Sequence, residues 1–149
     1  MSSPTQRTLT WCKMAGWPAG VVEKWIPQTK QRKDLYGFID IVVLDGKPGA
    51  LGIQATSASN VSGRVTKIQE ECTQAAIRWL QAGNRIWVIG WSKRGARGKR
   101  KLWTPRIVEV LAMVAVEGSE AVFWTEERGN GEEATRDQGR REAKHPRAG

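Results

Sequence analysis

The sequence predicts an α/β domain, on three observations. Two short apolar runs, an Ile- and Val-rich one at residues 36–44 and one at 50–56, are joined by a turn containing Gly and Pro; a stretch at 64–82 has apolar residues stepping by three and four; and two further β-type runs occupy 85–91 and 102–113. With a helical start, the element order is helix, strand, strand, helix, strand, strand. A chain of 149 residues suits one domain with a sizeable core and is short for two.

In order along the chain, residues 5–25 carry Leu9, Trp11, Cys12, Val21, Val22 and Trp25 at spacings that suggest two short helices, interrupted at Gly16-Trp17-Pro18, with Pro18 placed to open the second. A polar, basic stretch fills 27–34. Residues 36–44 (YGFIDIVVL) read as a strand, DGKPG at 45–49 as a turn, and 50–56 (ALGIQAT) as the second strand of a hairpin. Ser62 is a candidate cap for the helix that follows. In that helix Val65, Ile68, Cys72, Ala75, Ala76, Trp79 and Leu80 form one apolar face, and Gly83 ends it. The last two strands are joined by SKRGARGKRK. Trp17, Trp25, Trp79 and Trp87 read as core. Residues 1–125 form the expected folded domain; residues 126–149, without an aromatic residue, read as a charged and disordered tail.

Charge narrows the function classes. The chain carries a net +9 with a pI near 10.1. Residues 126–149 hold six acids and six bases, so the whole excess lies in residues 1–125. A positive field of that size attracts polyanions, nucleic acid first among them, although basicity also serves solubility. No N-terminal basic-then-apolar segment resembles a signal peptide, and the longest apolar run, 110–116, is far short of the roughly 20 residues of a membrane helix. Cys12 and Cys72 match neither a zinc spacing nor a disulfide framework and read as reduced thiols, pointing to the cytoplasm.

Asp40 and Gln54 stand out because each replaces a hydrophobe in an apolar strand. An unpaired buried carboxylate is costly. If the two strands pair as a hairpin, alternation sets Asp40 beside Gln54, offering one carboxylate and one amide oxygen to a hard cation such as Mg²⁺ or Mn²⁺. The other reading pairs Asp40 with Lys33 or Lys67, and Gln54 with backbone.

Asp40, thirteen intervening residues, then Gln54-Ala55-Thr56 after a turn resembles the PD-(D/E)XK nuclease superfamily. GFIDIVVL with LGIQATS is similar to its small phage- or bacterium-encoded, Holliday-junction-resolvase-like members. The resemblance covers roughly residues 16–110 in element order. It implies a restriction-endonuclease-like core, with a central mixed four-stranded sheet flanked by helices, and makes residues 1–125 a nuclease-like domain. It places the metal-contacting Glu of the family's early helix on Glu23, the catalytic Asp on Asp40, and the (D/E)XK element on Gln54-Ala55-Thr56. Here the sequence departs twice, with Gln for the acid and Thr56 for the Lys. Lys67, at the start of the following helix, is the candidate substitute amine, or an ordinary solvated lysine. Arg64, one turn earlier, is a candidate phosphate clamp.

The implied chemistry is metal-assisted hydrolysis of DNA phosphodiester bonds, with Glu23, Asp40 and the Gln54 carbonyl holding one Mg²⁺ or Mn²⁺, and branched DNA as a candidate substrate. His145, the single His, lies in the tail and is a poor general base. No GxxxxGK[ST] occurs, since Lys93 stands where the first Gly of such a loop would precede Gly98-Lys99. Lys93, Arg94, Arg97, Lys99, Arg100 and Lys101 instead suggest a basic hairpin lying along a phosphate backbone. Trp91 and Trp103 stack on each other across that hairpin or on bases. Two alternatives stand beside the enzyme: a nucleic-acid-binding module that has lost its chemistry, and a structural subunit. A homodimer is compatible with each.

Overall fold

The computed structural model describes residues 2–115 and 120–128. It contains α1 (Pro4–Met14), β1 (Ala19–Val21), β2 (Lys24–Ile26), β3 (Gln31–Lys33), β4 (Ile41–Val43), β5 (Leu51–Ser57), α2 (Val61–Glu70), α3 (Thr73–Gln81), β6 (Arg85–Arg94), β7 (Leu102–Val114) and β8 (Ala121–Glu127). Among the described residues the fold is α/β with three helices. Six strands, rather than the expected four, form the main sheet in the order β1-β4-β5-β6-β7-β8, and β2 with β3 makes a separate two-stranded ribbon. Only β5 and β6 run parallel, so the sheet is mixed.

The parallel pair exists because α2 and α3 carry the chain back across one face of the sheet. Alternation then sorts the strand residues into two cores. Trp87, Ile89, Trp91, Ile107, Ile41 and Ile53 face α1 and pack with Cys12 and Trp17. Ile86, Val88, Val108 and Val110 face α2 and α3 and pack with Phe38, Ile39, Val61, Ile68 and Ala76. A strand covered on both faces reads as a continuous apolar run, which is why 85–91 is so strongly β-like.

Several expected boundaries are corrected. The first helix is followed not by a second but by β1, since Gly16 at φ +80° and Pro18 stop α1 and residues 19–21 pair with 41–43. The strand expected over 36–44 is only 41–43, because a tight turn occupies its first part. The single helix expected over 64–82 is broken at Glu71-Cys72, where the Thr73 hydroxyl donates to the Gln69 carbonyl at 2.6 Å and starts a new helix. Asn60, not Ser62, stands at the N-cap of α2. Gly83, at φ +87°, closes α3 as expected. At the other end, β8 continues through Glu127, and Arg128 donates to the Ile107 carbonyl at 2.9 Å and to Glu109 at 2.7 Å, so the folded part passes the boundary expected at 125. The rest of the tail, His145 included, lies outside the described residues.

Trp17 and Trp87 are core and Trp79 is half-buried, but Trp25 is 53 % exposed. Trp91 and Trp103 do not stack: the register opposes Trp91 to Pro105 and Trp103 to Lys93. The Trp91 indole donates to the Thr8 hydroxyl, and the Arg7 guanidinium lies 3.4 Å over the Trp103 ring. Among the described residues no helix is long and apolar enough to cross a membrane. Cys12 and Cys72 are both free thiols, and burial, with Asp45 nearby, pushes Cys12 up to about 12.

Gly90 is the close contact that seats α2. A methyl group there would collide with the Val61 side chain and stand 2.8 Å from Ala58 Cα. Gly90→Ala is therefore expected to destabilise the protein by about 1–3 kcal/mol, as overpacking does in tight cores, read as a lowered urea midpoint. An unchanged midpoint would show that α2 does not press on β6 at this point.

Candidate metal centre

The β4–β5 register opposes Ile41 to Ile53, and its next step opposes Asp40 to Gln54, as strand alternation requires. The Asp40 N–H donates to the Ile53 carbonyl at 2.9 Å, and its carboxylate Oδ2 accepts the Ala55 N–H at 2.9 Å. Asp40 is 4 % exposed and Gln54 2 %. Neither Lys33 nor Lys67 is the partner of Asp40.

Asp34 completes the group. Tyr36 and Gly37 both have positive φ, +55° and +84°, in a three-residue turn between Leu35 and Ile39. Leu35 and Ile39 bridge across it, and the Leu35 N–H donates to the Ile39 carbonyl at 2.9 Å. The chain folds back so tightly that Asp34 returns to Asp40. The Gln54 amide Nε2 donates to Asp34 Oδ2 at 2.9 Å, and Lys67 Nζ lies 3.8 Å from the same oxygen. Glu23 arrives from the loop between β1 and β2, not from an early helix, and accepts from Arg32 at 2.8 Å. One carboxylate oxygen from each of Glu23, Asp34 and Asp40 lies within 4.8 Å of the other two.

Glu23, Asp40, Gln54 and Lys67 are thus brought together as the sequence led us to expect, and Asp34 was missed. Its available signal was the Tyr36-Gly37 pair, a hairpin turn hidden inside an apolar run. Thr56 lies on the same sheet face as Gln54, buried opposite Gly90. Arg64 is half-buried one turn before Lys67 and has no ion pair among the described residues. Lys93 and Arg94 end β6, while Arg97, Lys99, Arg100 and Lys101 lie in the exposed connection to β7. Lys93 follows Val88, the neighbour of Gln54, by five residues, or about 16 Å along the strand. The basic loop is therefore separate from the acidic group.

The electrostatics and the donor set both suit a hard divalent cation. Burial pushes Asp40 up to about 8, helped by its hydrogen bond to Asp34 and by the nearby charges of Asp34 and Glu23, and opposed by the Ala55 N–H. Without a counter-charge Asp40 therefore holds a proton near neutral pH. The Gln54 Oε1 is buried without a hydrogen-bond partner among the described residues, since the amide turns its N–H to Asp34. Oxygen donors with one unpartnered buried oxygen fit Mg²⁺ or Mn²⁺ rather than a thiolate-seeking metal.

No protein-family model matches the chain, and no curated protein and no solved structure matches it.

The raised Asp40 has a pH signature. Its folded value lies above the ordinary 3.8, so between 3.8 and about 8 the folded state binds the extra proton. The stabilisation is fully present at low pH and is lost as pH rises through that window, with a slope approaching ~1.4 kcal/mol per pH unit for one full proton. In chelator, the wild-type melting temperature is expected to fall from pH 5 to pH 8. Asp40→Asn, whose amide can still donate to Asp34 while its oxygen accepts from Ala55, should flatten that fall and melt higher at pH 8. Equal pH dependence in the two proteins would contradict a raised Asp40.

Proposed function

We propose that this chain is a metal-dependent DNA endonuclease with a restriction-endonuclease-like core of the PD-(D/E)XK type. The observation that carries the reading is the convergence of Glu23, Asp34 and Asp40 with the unpartnered Gln54 oxygen and an amine, Lys67, from a different element. Thr56 occupies the position of the family's lysine, and Lys67 supports the view that the amine has moved to α2.

Glu23 and Asp40, with Gln54 Oε1 and with Asp34 as a third carboxylate, would hold Mg²⁺ or Mn²⁺. When bound, such an ion polarises a phosphodiester and lowers the pKa of a coordinated water. The chain's own residues do the rest. Asp40 gives up its proton when a cation is held, because ligands must be deprotonated. Lys67, tethered to Asp34, offers an ammonium to a phosphate oxygen as negative charge develops on it. Arg64, on the same helix and free of ion pairs among the described residues, clamps the phosphate. The loop from Lys93 to Lys101 adds backbone contacts about 16 Å or more away, setting position rather than chemistry.

A binding module without chemistry is the second reading, favoured by Thr56 in place of the strand lysine. Incubation of the full chain with plasmid and four-way-junction DNA separates the two. Cleavage is expected with Mg²⁺ or Mn²⁺ and none with chelator. Asp40→Asn and Asp34→Asn should abolish it while DNA binding in chelator is retained, and Lys67→Ala should slow it at least ~100-fold. Full activity in Lys67→Ala would remove the amine from the mechanism; no cleavage of any DNA by the wild type would favour the binding module.

The basic loop gives a separate readout. Replacing Lys99, Arg100 and Lys101 with Ala should weaken duplex binding uniformly across sequences and lower the slope of log affinity against log salt by about 0.9 for each phosphate no longer neutralised. An unaltered slope would place the loop off the DNA.

A further inference from the structure

The β2–β3 ribbon is rooted in the acidic group and is otherwise unexplained. Glu23 immediately precedes β2 and Asp34 immediately follows β3, so both ends of the ribbon are carboxylates of the candidate centre. Its ten residues, 24–33, contain Lys24, Lys30, Arg32 and Lys33 and no acid. It is a sheet of its own, three pairs long, and all of β3 is exposed. Two-stranded ribbons of this size are marginal in water.

Its cross-strand pairs make it more so. Lys24 lies directly opposite Lys33, a like-charge pair that disfavours the free ribbon, and among the described residues neither has an acidic partner. A phosphate between the two ammonium groups would turn that repulsion into attraction. On the other ribbon face Trp25, 53 % exposed, lies opposite Arg32, which Glu23 holds at 2.8 Å. Trp25 is two residues from Glu23, at most about 7 Å between Cα atoms. Tyr36, 61 % exposed, projects from the neighbouring turn at φ +55°, where Gly or Asn would be less strained. Two exposed aromatic rings, and a ribbon whose Lys24, Lys30 and Lys33 have no acidic partner among the described residues, therefore adjoin the acidic group in the chain.

We propose that the β2–β3 ribbon binds single-stranded DNA, with Trp25 stacking on an unpaired base beside the phosphate held at the acidic group and with the adjoining backbone passing over the ribbon's edge to Lys24 and Lys33 on its other face. The identity of that phosphate rests on the endonuclease reading; the ribbon's binding does not need cleavage. Stacking requires a free base face, which a continuous duplex does not offer and an unpaired segment does. Trp25 thereby selects substrates with unpaired nucleotides next to the reacting bond, while the Lys93–Lys101 loop holds backbone without that preference.

The test is fluorescence anisotropy of a labelled 20-nucleotide single strand and of its duplex, in chelator, with the full chain. The wild type is expected to bind the single strand more tightly. Trp25→Ala should weaken single-strand binding on the order of tenfold and leave duplex binding within about twofold, with Trp25→Phe recovering most of the loss. Lys24→Ala combined with Lys33→Ala should lower the single-strand salt slope by about 0.7 for each phosphate no longer neutralised and raise the melting temperature of the free protein. Because Trp25 is exposed, Trp25→Ala should melt at the wild-type temperature. Unchanged single-strand binding in Trp25→Ala, or an equal loss on both DNAs, overturns the proposal. The same strand, plasmid and four-way-junction DNA incubated with wild type and Mg²⁺ test the enzyme separately: Trp25-dependent binding without cleavage of any of the three rejects the endonuclease and keeps the ribbon, and cleavage with Trp25-independent binding rejects the ribbon alone.

Discussion

The antiparallel register between β4 and β5 governs the rest of the site. It sets Asp40 opposite Gln54 and lets the Ala55 N–H bond the Asp40 carboxylate, which buries an acid that the sheet could otherwise not hold. The Ala55 N–H does not offset the burial, so the Asp40 carboxyl is pushed up to about 8 and hydrogen-bonds Asp34. A slip of one residue would turn Gln54 to the α1 face, among Ile41, Ile53 and Trp87, where an amide has no partner. Apolar packing on that face therefore enforces the polar geometry on the other.

Each neighbouring element contributes one group to the register's polar side. The parallel β5–β6 pair requires a crossover, and α2 is its first half. Gly90 lets α2 approach β6 closely enough for Lys67 to reach Asp34 from a helix rather than from the strand. The positive-φ turn at Tyr36-Gly37 returns Asp34, and the end of β1 delivers Glu23. Arg85, bonded twice to the buried Asp45, at 2.7 Å through one nitrogen, ties the β4–β5 turn to the start of β6 and steadies the frame from the opposite end of the hairpin.

The charge distribution has a clear division. Glu23, Asp34 and Asp40 meet at one partly buried point, while bases cluster on exposed hairpins: the β2–β3 ribbon beside that point and the Lys93–Lys101 loop beyond it. On the endonuclease reading, a polyanion drawn by the outer positive field would meet a small negative centre at close range, with a divalent cation between them.

The sequence by itself determined the features that depend on neighbouring residues. Period-two alternation marked 50–56 as a strand and set Asp40 beside Gln54, and a continuous apolar run marked 85–91; turn chemistry placed the hairpin, and Gly83 the end of the helical stretch. What needed the tertiary structure depends on partners distant in the chain. Three-residue strands such as β1 carry no periodic signal and exist only through pairing with β4, and β8 only through pairing with β7, hence a six-stranded sheet instead of four. Trp25 looks like core in composition and lies half-exposed on a ribbon separate from the main sheet. Asp34 sits in a polar stretch indistinguishable from a solvated loop until a tyrosine adopts a left-handed conformation that its side chain disfavours. Local preference decides what a segment resembles; only the packing of segments decides which carboxylates share a buried point and what that does to their protons.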